Sequence, residues 1–415
     1  MVELRRNFRK WWQPPRKTID RPAERRVTVL ELFYDLVYVV LIAELAHSLA
    51  INVTPAGVGG FAFLFVIVWW AWFNGTSYHE LHGNNDIRTR VFTFLQMFTV
   101  AAMAVFAHDA LGAGSVGFAL SITAFQLILV YLWWRTGIYD PDHRPLSRPY
   151  TLVYLFNALL YIASVLVAPP WRFTLWGIAL IFSLTLPLYT RTMGRRNPAL
   201  QEEVERTTAA SPALVERFDL LTIIVIGEVV AGTIRGVAGQ DQLSWTLGIA
   251  AGLGMLIAIG IWWIYFDFVS RHPPLPGISE STRWYFLHLP LTLGITVIGA
   301  AVFNLVEHSG DPLSAGVRWL LVGSVAPDFG LHGPVNAHAP ASPRLRAVVP
   351  ARRNRDIRYS GHYPGIGGYP SVRRPVAAGN GRAVTTACCL RDVDLDQGAG
   401  GGTNGSSGLI RSRLS

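Results

Sequence analysis

The chain has 415 residues, of which 51% are hydrophobic and only 15% charged, with a formal net charge of +9. Globular chains carry about 25% charged residues, so there is too little polar surface here to cover the apolar residues of a soluble fold. The apolar residues also fall in long blocks, as a lipid surrounding requires. The two cysteines, Cys388 and Cys389, are adjacent and close to the C-terminus, which excludes a disulfide framework and a Cys-based zinc site in the apolar body.

Residues 1–26 form a basic leader with nine Lys and Arg. The apolar stretch that follows is too long for the core of a cleavable signal, so it reads as a first span behind a cytoplasmic leader. Nine stretches of membrane length run over 28–50, 57–73, 91–110, 115–134, 149–168, 172–190, 214–234, 243–269 and 284–306. A tenth begins at Val317 and fails. Lys and Arg set the orientation. With the leader inside, the inside loops carry Arg88 and Arg90, then Arg135, Arg144 and Arg148, then Arg191, Arg195, Arg196 and Arg206, then Arg271 and Arg283. The outside loops and rims hold only Arg172, Arg235 and Arg318. The chain is therefore expected to lie in a membrane with its N-terminus on the cytoplasmic side.

The chain repeats itself. Trp69-Trp70-Ala71-Trp72-Phe73-Asn74 returns as Trp262-Trp263-Ile264-Tyr265-Phe266-Asp267, an offset of 193 that also pairs Thr89-Arg90 with Thr282-Arg283. Glu31-Leu32-Phe33 parallels Glu216-Arg217-Phe218, and Glu44 parallels Glu228, at offsets of 185 and 184. Six spans separate the matched elements, so the repeats are parallel rather than inverted. The expected fold is therefore an all-α polytopic membrane protein of about nine to ten transmembrane helices. Its first half is a six-helix repeat over 27–213, and its second half is a truncated repeat over 214–325.

From residue 326 the composition turns to Arg, Pro, Gly, Ala and Ser, with 12 arginines and no lysine. Such a segment buries little and is expected to be disordered. Its length, about 90 residues, matches three missing spans, which points to a reading-frame change near codon 325; a natural basic tail is the plainer alternative.

Ionisable groups inside spans are costly and by default mark function. Glu31 and Asp35 stand four apart on one face of the first span. Glu44 lies about 220° round and about 20 Å further along, with His47 one turn beyond it. The seventh span carries Glu216, Arg217, Asp219, Glu228 and Arg235. Glu44 and Glu228, in equivalent places of the two halves, are the best candidates for a central proton- or cation-handling site. Asp35, Glu31, Glu216, His47 and His288 complete the candidate set. For Glu31, Asp35, Glu216 and Arg217, ion pairing between helices is an equal alternative.

His79, His82 and Asp86, in the first inside loop, could bind a metal, but two histidines three apart in a polar loop are more often simply solvated, and that is the preferred reading. The glycines of 250–260 read as helix-packing contacts. No G-x-S-x-G, H-E-x-x-H or P-loop is present, so neither an enzyme nor a cofactor site is expected.

Glu31-Leu32-Phe33-Tyr34-Asp35 and the segment from Glu216 to Glu228 resemble the two signature segments of the bacterial low temperature requirement protein A (LtrA) family. His288-Leu289-Pro290-Leu291 and Glu307-His308 resemble a later segment of that family. The likeness covers about 27–325 and departs in the tail; Asp219 also stands where the family often carries Gly. The resemblance implies a multi-span inner-membrane protein linked to growth in the cold, a class rather than a mechanism. More distantly, Phe33-Tyr34-Asp35 is similar to a motif of lysosomal potassium channels built from two six-helix repeats, which Phe218-Asp219-Leu220 fits poorly.

Three readings follow. The first is a transporter or channel for protons or a small cation, with spans one and seven lining the path. The second is a lipid-modifying membrane enzyme using His79, His82 and Asp86. The third is a non-catalytic scaffold or sensor docked on lipid through its leader. The partner in each is the bilayer. A nucleic-acid role is not expected, because the tail arginines are scattered without a fold around them.

Overall fold

The computed structural model describes residues 12–17, 25–274 and 277–324. Among them every regular element is helical: α1 Val29–Ile51, α2 Pro55–His82, α3 Ile87–Ala107, α4 Ser115–Tyr139, α5 Arg144–Val165, α6 Trp171–Arg196, α7 Pro198–Thr208, α8 Pro212–Ala238, α9 Trp245–Ile264 continued by a π-helical turn Tyr265–Val269, and α10 Ile278–Glu307. Helix resumes over 315–324, where the tenth stretch begins. The tail from 325 lies outside the described residues.

Seven helical segments are long and apolar enough, by length and composition, to cross a membrane: Pro55–His82, Ile87–Ala107, Ser115–Tyr139, Trp171–Arg196, Leu200–Ala238, Trp245–Val269 and Ile278–Glu307. Val29–Ile51 and Arg144–Val165 fall outside that set and pack among them.

The helix starts are written in the sequence as hydroxyl and carboxylate caps. Thr28 and Glu31 form a capping box, with Thr28 Oγ1 accepting from Glu31 N at 3.4 Å and Glu31 Oε2 accepting from Thr28 N at 2.9 Å. Thr54 before Pro55 and Ser211 before Pro212 place a cap and then the residue best pre-shaped for a first helical turn. Asp86 caps α3 and Ser244 caps α9 through backbone N–H groups at 3.1 Å each.

Helices α1 and α8 pack on each other and on α10, and α2 and α3 close around α1. Helices α4, α5 and α6 stack in sequence beside them. Phe218 on α8 is the hub of the core. Its ring centre lies 5.1 Å from Trp72, 5.0 Å from Trp284, 5.5 Å from Tyr285 and 4.9 Å from His288, so α2, α8 and α10 meet there. Each such aromatic pair adds about 0.5–1.5 kcal/mol beyond its area.

Small residues let α8 and α10 cross closely, as is usual where lipid offers no hydrophobic drive for association. A methyl group at Gly232 would lie 2.7 Å from the Gly299 carbonyl oxygen, and one at Gly236 2.8 Å from Val306. In 250–260 only part of the expected glycine packing is present. Gly254 faces Thr233, whereas Gly252 and Gly260 have open space beside them.

The matched tryptophans have unlike surroundings. Trp69 and Trp70 are buried, while Trp262 and Trp263 are 47% and 61% exposed. The reason is position. Helix α2 packs against α1, α4, α8 and α10, whereas α9 packs against α8 and α10, leaving its outer face bare.

One boundary is corrected. The second span does not end near residue 73 but runs on to His82 and stops at Gly83. Its polar last turns are buried rather than solvated, because Arg16 covers the helix end. Arg16 Nε donates to the Leu81 carbonyl at 3.3 Å, Arg16 Nη2 donates to that of Glu80, and its N–H donates to that of His82 at 3.1 Å. These are among the carbonyls a helix C-terminus leaves unsatisfied.

Candidate functional site

The most deeply buried charges sit where α1 meets α8. Asp35 and Arg217 are both 0% exposed. Arg217 Nε donates to Asp35 Oδ2 at 3.1 Å, and Nη2 donates to Oδ1, a two-point pair. Trp72 Nε1 on α2 donates to the same Oδ1 at 2.7 Å. The guanidinium lies 5.4 Å from the ring centre of Tyr34, one residue before Asp35, and Arg217 Nη1 has no hydrogen-bond partner among the described residues. Asp35 and Arg217 thus form an ion pair between helices α1 and α8. Glu31, one turn earlier, closes its capping box and also pairs with Arg25.

Arg25 reaches on to Glu80 at the end of α2, and the Ser211 hydroxyl donates to Glu80 Oε1 at 2.7 Å. Ser211 also caps α8, so Glu80 binds the start of α8 to the end of α2. Glu216 is exposed and accepts from Val27 N at 3.4 Å.

A second aspartate centre lies between α8, α9 and α10. Tyr265, at the position matched to Trp72, donates its hydroxyl to Asp219 Oδ1 at 2.9 Å, and Ser270 Oγ donates to Oδ2 at 2.8 Å. The Tyr265 hydroxyl also lies 3.1 Å from His288 Nε2, while His288 Nδ1 donates to the Trp284 carbonyl at 2.8 Å. Sequence reading singled out His288 and noted Asp219 but missed Tyr265, although the 193-residue offset aligned it with Trp72.

At the far end of α8, Glu228 is 6% exposed and pairs with Arg235 at 2.9 Å. His47, on α1, lines the same small cavity as Glu228, Arg235 and Phe303, and its ring stacks on His108 at 5.9 Å. Glu44 is half-buried and makes no hydrogen bond or ion pair among the described residues. Glu228 is therefore brought beside His47, while Glu44 has no part in that contact.

The suggested metal trio is engaged elsewhere. His79 Nε2 meets Gln96 Oε1 at 2.7 Å, His82 Nδ1 donates to the Arg16 carbonyl at 3.0 Å, and Asp86 caps α3 and accepts from Gln13 N at 2.9 Å. Among the described residues no group of three His, Cys, Asp or Glu is placed to hold a metal ion.

A cavity of about 90 Å³ opens between α2, α4, α5, α6, α7, α8 and α10, with Asn74, Glu80, His143, Thr190 and Arg191 on its wall. His143 Nδ1 meets Glu203 Oε1 at 2.7 Å, and Tyr154 donates to Asn74 Oδ1 at 2.7 Å. Sequence reading missed His143, which lies in a polar stretch between spans and gives no signal before folding.

A helical bundle with membrane-length apolar helices and charges paired in its interior defines a polytopic membrane protein. Residues 26–339 match the family described as bacterial low temperature requirement A protein (LtrA), and the chain belongs to that family. It is also 25% identical over 283 residues to an uncharacterised protein of Rhizobium meliloti (strain 1021), RA0937, covering 65% of this chain and 67% of that one. No solved structure matches it.

Proposed function

We propose that this protein moves protons or a small cation across the membrane along the interface of α1 and α8. The observation that carries this reading is the Asp35–Arg217 pair, fully buried between those two helices. Taking two charges out of water costs several kcal/mol per ion, and a buried pair seldom repays that in stability over an apolar pair. Inside membrane spans such groups concentrate along ion and substrate paths. Glu228 and His47 would serve the opposite end of the same interface, and Glu44 would be free to take up a proton or cation. The Lys and Arg distribution favours a cytoplasmic start to α1 in a bacterial inner membrane. The family name ties the process to growth at low temperature.

Full-length protein in liposomes tests this reading. A proton- or cation-dependent flux that falls in Glu44→Gln and Asp35→Asn is expected; flux equal to that of protein-free liposomes rejects it. A lipid-modifying enzyme is the second reading, favoured by the His143–Glu203 contact at the cavity wall. Under that reading a deletion strain has an altered lipid profile in the cold, and an unchanged profile removes it.

A further inference from the structure

The two aspartate centres share one plan. In each, an aromatic donor at the matched position, Trp72 or Tyr265, holds an aspartate on the first helix of the unit. The difference lies in the cation. Asp35 faces the guanidinium of Arg217, which stays charged at any physiological pH. Asp219 faces, through Tyr265, the imidazole of His288, which can gain or lose its proton.

The hydrogen bonds impose a proton count. His288 Nδ1 sits 2.8 Å from the Trp284 carbonyl, which can only accept, so Nδ1 carries a hydrogen. The Tyr265 hydroxyl has one hydrogen and lies between Asp219 Oδ1 and His288 Nε2. That hydrogen can point to Asp219 Oδ1 or to His288 Nε2, and a proton added at Nε2 lets that nitrogen donate to the Tyr265 oxygen while Tyr265 donates to Asp219.

We propose that Asp219, Tyr265 and His288 form a relay that binds one proton and passes it between its ends. With the proton on His288, Nε2–H donates to the Tyr265 oxygen and Tyr265 O–H donates to the Asp219 carboxylate. In the transfer, the Nε2 proton moves to the Tyr265 oxygen as the Tyr265 proton moves to Asp219 Oδ1. This leaves neutral imidazole, intact phenol and carboxylic acid, with charge and protons conserved. Asp219 is half-buried beside Ser270 at the end of α9 and is the port, while His288, 1% exposed, is the interior end.

Other ionisable groups surround the relay. On α8, Glu216 acts on Asp219, and Arg217 is held by Asp35. On the π-helical turn, Asp267 pairs with Arg271 at 3.0 Å. Helix α2 faces the site with Trp69, Trp72 and Phe73 around Phe218, and its His79 and Glu80 are bound to Gln96 and to Arg25 with Ser211. Helix α7 meets α10 where Tyr285 donates to the Thr208 carbonyl. Helix α1 joins α10 at Asn304 and Ala50, and it carries Asp35, Glu44 and His47.

The relay's part in transport rests on the function proposed above, but its chemistry does not. The test is nitrogen-15 NMR of histidine-labelled full-length protein in nanodiscs, with the His288 signal assigned by its loss in His288→Asn. A pH titration of that signal should shift down by about one pH unit, tenfold in proton affinity, in both Asp219→Asn and Tyr265→Phe. Ser270→Ala, which removes a hydrogen bond from the carboxylate, should shift it up and decides the matter if the others fail to fold. Unchanged midpoints in the variants that fold overturn the relay. Intact shifts with no liposome flux leave the relay standing and reject transport; flux without shifts does the reverse.

Discussion

Arg217 of α8 grips both carboxylate oxygens of Asp35 of α1 across 182 residues of chain, with both side chains buried. This contact joins α1 to α8, and its chemistry fixes how each partner responds to substitution.

Asp35→Ala leaves a buried, unpaired guanidinium and should cost about 3–5 kcal/mol of stability. The double variant Asp35→Leu with Arg217→Met should recover most of that loss. Thermal unfolding of the purified single and double variants measures the coupling; additive losses would mean that the two charges do not depend on one another.

Trp72→Phe keeps the ring packed against Phe218 but removes the indole N–H bonded to Asp35. A hydrogen bond to a charged group is worth about 1.5–3 kcal/mol, so a loss in that range is expected in a denaturant series. Trp69→Phe, whose Nε1 has no hydrogen-bond partner among the described residues, should lose less.

Gly232→Ala pushes a methyl group against the Gly299 carbonyl, which belongs to a helix backbone and cannot rotate aside. Overpacking of this kind costs about 1–3 kcal/mol. Gly252→Ala, facing open space, should be neutral or slightly stabilising. Equal melting temperatures for the two variants would contradict the close α8–α10 crossing.

Glu44→Gln should change stability by no more than about 0.5 kcal/mol, since the carboxylate has no partner to lose. Its flux in liposomes should nevertheless fall. Glu228→Gln breaks an ion pair as well and should lower both. A Glu44→Gln variant with full flux would remove Glu44 from the path.

The helices themselves were legible, because lipid-length apolar blocks are local features; their exact starts were not read from the caps Thr28, Thr54, Asp86, Ser211 and Ser244. Helix α2 was read too short because His79, Glu80 and His82 look like loop residues until Arg16 and Ser211, distant in sequence, come to cover them. Asp35, Arg217 and His288 were legible as ionisable groups inside apolar stretches. Their partners were not, since Trp72 and Tyr265 are indistinguishable from packing aromatics until the fold sets their polar atoms against a carboxylate. The spacing that placed Glu44 and Glu228 in matched positions said nothing about Arg235, two turns on, which holds only one of them.

The α1–α8 path can be tested by cysteine accessibility, after replacing Cys388 and Cys389 with Ser. Ala46 on α1 is buried and lines the small cavity with Glu228, whereas Val40 points outward and is 53% exposed on the apolar face. In liposomes under a proton gradient, a small membrane-impermeant thiol reagent should label Ala46→Cys and spare Val40→Cys. Protection of Ala46→Cys equal to that of Val40→Cys, with and without the gradient, would contradict a path between α1 and α8.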